Sequence, residues 1–309
     1  MNRSREANQL YFGMILFLVG MALVFNALLN VRMNAFTAVS FTECLVLLPV
    51  LLYLIASRGE VLRNLPLHLV KIRPLLWVML FALLLMPTVM MLNLLSQLFV
   101  PNYVMSSLAS TASTPLIVSL LFNALLPAVV EEYIFRGVLF ACYRPTGLWK
   151  SALVTGLFFG LTHLNLNQFA YAFVVGVLLA FLMEASGSLF APMVVHFLIN
   201  TVSVVYAHVL SRLGGVESGT ITQIESTPAA AMPLWFWTLL AVITLVTLVL
   251  AIRVLVQISH LSGTSAAMKS ALRGKDRLRG KEGRVSTLFL YGSIAVGLAY
   301  MVLRLVAKR

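Results

Sequence analysis

The chain has 309 residues, 61% hydrophobic and only 10% charged, with a formal net charge of +12 and a mean hydropathy of +0.97. A soluble globular domain runs at about half apolar and a quarter charged, so the composition excludes one and leaves an integral membrane protein. The basic excess does not point to a nucleic-acid partner, because it lies mainly in connecting loops, where membrane proteins gather Lys and Arg on the cytoplasmic side.

Nine apolar runs follow one another: Leu10–Leu29, Phe36–Ala56, Pro74–Phe99, Leu116–Phe140, Trp149–Leu164, Phe169–Met183, Leu189–Val209, Leu234–Val256 and Leu288–Leu305. Such runs read as transmembrane helices. The expected fold is all-α, a polytopic transmembrane helix bundle of eight or nine spans, with residues 1–309 forming a single integral membrane domain. The first run is long, lacks a clear small-residue cleavage site and leads into further spans, so it reads as a retained helix. Cys44 and Cys142 lie in or beside spans and suggest neither a disulfide framework nor a thiolate metal site.

Loop charge sets the expected orientation. The basic N-terminal segment and the loop carrying Arg58, Arg63, Lys71 and Arg73 read as cytoplasmic, the uncharged PNYVMSSLASTAST as external, and Arg144 and Lys150 as cytoplasmic again. The segment RGEVLRNLPLHLVKIR mixes Leu and Val with basic residues and suits the interface plane. Residues 257–287 form a basic cytoplasmic loop; Lys269 to Arg284 alone hold seven Lys or Arg against one Asp and one Glu. That loop fixes topology and would also attract anionic lipids. Nine spans from a cytoplasmic N-terminus leave Arg304, Lys308 and Arg309 on the external side, against the same rule.

Ionisable residues at bilayer depth mark function by default. They are Glu43, Glu131, Glu132, Arg136, His163 and His196, with Glu184 and His208 near span ends. The sole aspartate, Asp276, lies in the basic loop, so a two-aspartate intramembrane protease is excluded. No H-E-x-x-H string occurs, which excludes the helical zinc-protease motif. The serine-protease string nearest to hand, SGSLF at Ser186, falls at a loop. No inverted repeat of the transporter kind is visible.

In EEYIFRG, Glu132 and Arg136 are four apart and share a helix face, so they can pair. Glu131 is turned about 100° away from Glu132 and is left without that arginine. Pro127 removes a backbone hydrogen bond one turn earlier and should kink the helix. Phe159 and His163 share a face of the fifth run, where Gly156 and Gly160 would let a neighbouring backbone approach closely. His196 and Asn200 share a face of the seventh. Counted along the helices, Glu131, His163, His196 and Asn200 lie roughly 13–21 Å deep. Glu43, in FTECLV, has no evident partner and reads as structural.

EEYIFR, FGLTH and HFLIN, taken as E-E-x-x-x-R, F-x-x-x-H and H-x-x-x-N in order on separate spans, resemble the motifs of the type II CAAX prenyl endopeptidase and bacteriocin-processing family (CPBP or Abi). The resemblance covers a core of about residues 116–206. It implies an intramembrane endopeptidase, located in a bacterial cell membrane, that acts on a membrane-embedded peptide or lipidated protein. By position, Glu131 would be the catalytic glutamate and His163 would act with it on water. His196 and Asn200 would meet the oxyanion, and Glu132, Arg136 and Phe159 would support them. No cofactor is expected; the alternative is a divalent metal such as zinc on Glu131, His163 and His196. A catalytically silent scaffold, or an immunity or signalling protein of the same fold, is the competing function.

Overall fold

The computed structural model describes residues 3–24, 35–56, 65–100, 102, 114–213, 229–275, 285 and 287–306. Arg58, Arg63, Asp276, Lys308 and Arg309 lie outside the described residues, as does most of the uncharged third loop. The chain forms α1 (Arg3–Leu23), α2 (Ala35–Ala56), α3 (Ile72–Gln97), α4 (Leu116–Thr146), α5 (Leu148–Thr162), α6 (Leu166–Ser186), α7 (Phe190–Leu213), α8 (Leu234–Leu261), the short α9 (Ser265–Leu272) and α10 (Leu288–Val306). No strand occurs among the described residues. Seven of these helices are long and apolar enough to cross a membrane; α5 and the apolar part of α2 (Phe41–Ala56) are shorter. Among the described residues, each of the nine apolar runs is helical over most of its length, in a polytopic helical bundle.

Hydrogen bonds between helix ends give the up-and-down order. Asn8 donates to the Val285 carbonyl and to Thr287 Oγ1, both at 2.9 Å, and also accepts from Tyr143. Leu189 N–H donates to the Pro66 carbonyl at 3.0 Å, and Arg144 grips Glu184 through two hydrogen bonds of 2.9 and 2.6 Å. These contacts gather the starts of α1, α5, α7 and α10 with the ends of α4 and α6. At the other end, Arg304 of α10 donates to the Leu164 carbonyl at 3.5 Å. Nine apolar helices thus alternate in direction, and Arg304 lies opposite the start of α1. A carbonyl partner makes its charge tolerable there.

Two apolar clusters fill the interior. One joins α3, α6, α7 and α8. The other joins α1, α2, α4 and α5, where the Tyr11 ring stacks on Phe158 with centroids 3.7 Å apart. Large apolar side chains of α3 and α8, such as Leu76, Leu83, Leu245 and Val246, point outward, as a lipid-facing surface requires.

The hairpin α5–α6 is tightly packed. A Cβ on Gly156 would meet Val177 Cγ2 at 2.6 Å and the Val177 nitrogen at 2.9 Å; one on Gly160 would meet the Phe169 carbonyl at 3.0 Å. The spacing of these glycines therefore does what the sequence suggests. At about 22 Å long, α5 falls short of the roughly 30 Å hydrocarbon layer. Its turn must satisfy its own polar groups. Asn165 caps α6 by accepting from Asn167 N–H at 3.0 Å, and the Asn167 amide donates to Asn93 Oδ1 and Ser96 Oγ on α3, at 3.0 and 2.7 Å.

Candidate active site

The central helix α4 is continuous yet irregular. It widens into π-helical turns at Leu121–Leu125 and again at Tyr133–Leu139. Pro127 has no N–H to offer the Asn123 carbonyl, and just before it Leu126 N–H reaches back five residues to Leu121. The disturbance expected at Pro127 thus shows as a π-helical turn just before it. Such π turns often accompany functional sites, and here they bracket Glu131 and Glu132.

Glu132 and Arg136 are both fully buried, and Arg136 Nη1 donates to Glu132 Oε1 at 2.9 Å. The i, i+4 pair forms even though α4 becomes π-helical between the two. Arg136 Nη2 donates to the Gly176 carbonyl of α6 at 3.0 Å, and its guanidinium lies 4.4 Å from the centroid of the Phe159 ring. A Cβ on Gly176 would meet Arg136 Nη2 at 3.1 Å and the Gly156 Cα at 3.0 Å. Only glycine leaves both α5 and the guanidinium their places.

His196 of α7 closes the arrangement. Its Nδ1 hydrogen-bonds Glu132 Oε1 at 2.8 Å, the oxygen Arg136 also uses, and its Nε2 lies 3.7 Å from Glu131 Oε2. The second distance is an ion-pair approach, longer than a hydrogen bond. A carboxylate already paired with Arg136 can only accept, so Nδ1 carries the hydrogen and Nε2 is the nitrogen turned to Glu131. The sequence made Glu132 a partner of Arg136 alone; the structure makes it the anchor of His196 as well.

Phe159 stands between the two imidazoles, edge-on to His163 at 5.0 Å and to His196 at 5.6 Å. His163 Nδ1 lies 2.7 Å from the Phe159 carbonyl; a carbonyl only accepts, so this nitrogen bears the hydrogen and Nε2 is left for other chemistry. Among the described residues, no hydrogen bond or ion pair joins His163 directly to Glu131. Asn200 lies one turn along α7 from His196 and is half-buried.

Burial sorts these residues into two sets. Glu132, Arg136 and Phe159 are sealed, whereas Glu131, His163 and Asn200 each keep some accessible surface. Among the described residues, no three His, Cys, Asp or Glu side chains are gathered closely enough to hold a metal ion. The set Glu131, His163 and His196 is therefore not assembled as ligands, and no step below runs through a metal.

One member of the site was missed. Glu43 of α2, 6% exposed, meets Glu131 side chain to side chain. The signal was present, because a carboxyl in mid-span needs a reason. Its partner lies 88 positions away on another helix, and spacing within FTECLV could not reveal it.

Residues 113–202 match the model of the "Type II CAAX prenyl endopeptidase Rce1-like" family. The matched segment contains the three motifs. All of Glu131, Glu132, Arg136, Phe159, His163, His196 and Asn200 fall inside the matched segment, and Glu43 falls outside it. The chain is also similar to a Bacillus subtilis (strain 168) protein named "Putative membrane peptidase YdiL", with 26% identity over 87 residues. That match covers 28% of this chain and 36% of the relative. No solved structure matches.

Proposed function

We propose that this protein is an intramembrane endopeptidase. It hydrolyses a peptide bond of a hydrophobic or lipidated substrate within the membrane, with Glu131 as the base. The observation that carries this reading is the approach of Glu131 Oε2 to His196 Nε2 at 3.7 Å. It sets a partly accessible carboxyl beside an imidazole whose other nitrogen is anchored to a sealed ion pair. The match of residues 113–202 to the CAAX prenyl endopeptidase model and the likeness to a relative named a membrane peptidase support it.

Glu131 takes a proton from a water as the water oxygen bonds to the scissile carbonyl carbon. His163 helps to hold that water through Nε2. The carbonyl oxygen becomes an oxyanion, which the Asn200 amide and His196 stabilise; donors aimed at developing charge are commonly the largest contribution to such reactions. As the intermediate collapses the C–N bond breaks, and the proton on Glu131 passes to the leaving amine nitrogen. Glu132, Arg136 and Phe159 keep His196 and Glu131 in register. The end bearing the start of α1, Arg144 and Lys150 faces the cytoplasm of a bacterial cell, and the basic residues of 257–287 meet anionic lipid there.

The test compares the membrane proteomes of cells making the wild type and Glu131→Ala at equal level. Full-length membrane peptides should accumulate, and their shortened products vanish, in the variant. Identical proteomes together with retained cellular function in Glu131→Ala would remove the catalytic assignment and favour a scaffold.

A further inference from the structure

Glu43 reaches the site from α2, which packs against α4 beside Glu131. Glu43 Oε2 and Glu131 Oε2 are both buried without any hydrogen-bond donor. The charged neighbours of Glu131 are Glu43, His196, Glu132 and Arg136. Arg136 is committed to Glu132 at 2.9 Å. Among the described residues, that leaves two carboxyls facing each other, with the His196 imidazole 3.7 Å from Glu131 and the Tyr171 phenol near it. Two ionised carboxylates in contact inside a membrane would leave a buried charge uncompensated, at considerable cost. A single shared proton removes that charge and gives the orphaned oxygens their missing hydrogen bond.

We propose that Glu43 is a positioning residue for Glu131: the two carboxyls share one proton across the α2–α4 contact, Glu43 as the acid and Glu131 as the carboxylate that faces the site. The inference rests on the endopeptidase reading only for its consequence in catalysis. The hydrogen bond from Glu43 fixes the Glu131 carboxylate toward His196 and toward water. Like-charge pairs of this kind titrate as a unit with one proton held between them. The family-matched segment would then be incomplete without a residue from α2.

Difference infrared spectroscopy on the full-length protein in liposomes reads the shared proton without any substrate. At neutral pH the wild type should show the carbonyl stretch of a protonated, buried carboxylic acid, and it should shift in D2O. Glu43→Gln and Glu131→Gln should each remove or displace this band, while Glu184→Gln leaves it in place. No such band in the wild type, or a band indifferent to both substitutions, overturns the proposal. A second arm measures cleavage of a quenched-fluorescent farnesylated peptide in the same liposomes. Glu43→Gln should lower kcat about tenfold, the worth of one ordinary hydrogen bond, with KM unchanged; an unchanged kcat would refute positioning. If the wild type cleaves nothing while the band behaves as expected, the shared proton stands and the endopeptidase reading is what fails.

Discussion

His196 and Glu132 are joined by a 2.8 Å hydrogen bond between α7 and α4. The same Glu132 oxygen accepts from Arg136 at 2.9 Å. One sealed carboxylate thereby ties an imidazole that faces the site to a guanidinium that does not. In the proposed mechanism the adjacent glutamates have opposite duties, and their substitution should separate stability from activity.

Glu131→Gln keeps the volume of a partly accessible side chain and removes its basicity. Cleavage should fall by at least about 10²-fold, the usual contribution of a positioned base, while the melting temperature in detergent stays at the wild-type value. Glu132→Gln leaves Arg136 as a buried cation without its counter-charge. It should lower stability by about 3–5 kcal/mol and reduce cleavage as well, because His196 loses its anchor. Thermal unfolding and a cleavage assay on both variants check this; equal melting temperatures would show that the Glu132–Arg136 pair does not hold the bundle.

Phe159 touches three members of the site at once, with Arg136 4.4 Å from its centroid and both imidazoles on its edges. Phe159→Leu keeps an apolar side chain of similar bulk but loses the ring. The cation–π contact is worth about 0.5–2 kcal/mol, so a modest fall in melting temperature is expected. The larger effect should be on kcat, since a displacement of about 1 Å at a catalytic group can cost 10²-fold. If kcat is retained in Phe159→Leu, the ring is packing alone.

The sequence made most of this site legible, because motif pairs at i, i+4 are local. Glu132–Arg136 and Phe159–His163 could be placed on shared faces before any fold was known. The nine helices were equally readable from apolar runs. What spacing could not supply was contact between helices distant in sequence: His196 on Glu132, Arg136 on the Gly176 carbonyl, Glu43 on Glu131. The π turns of α4 were also hidden. Pro127 announced a disturbance, but whether a helix kinks or widens depends on what packs against it.

Metal dependence gives a third test. His163 and His196 each commit Nδ1, to the Phe159 carbonyl and to Glu132 respectively, and no three-ligand cluster forms among the described residues. Prolonged dialysis against a strong chelator should therefore leave the cleavage rate unchanged. A loss that added zinc restores would mean that the three side chains converge on binding substrate, and would recast Glu131 as a ligand.

The contact between Gly156 and Gly176 offers the strictest test of how the fold holds the site. The Gly156 Cα would sit 3.0 Å from a Cβ on Gly176, and Arg136 Nη2 only 3.1 Å from it. Gly176→Ala must therefore push α5 away from α6 or move the guanidinium from the Gly176 carbonyl. Either response costs about 1–3 kcal/mol for an overpacked interior. Gly156→Ala meets the backbone nitrogen of Val177 at 2.9 Å, which no side-chain rotation relieves, and its three nearest neighbours belong to Val177 and Phe173 rather than to Arg136. Both variants should melt lower than the wild type by similar amounts. Gly176→Ala should also lose cleavage at temperatures where both remain folded, because displaced Arg136 releases Glu132 and, through it, His196. Equal residual activity in the two variants would show that the path from Gly176 to His196 carries packing and nothing more.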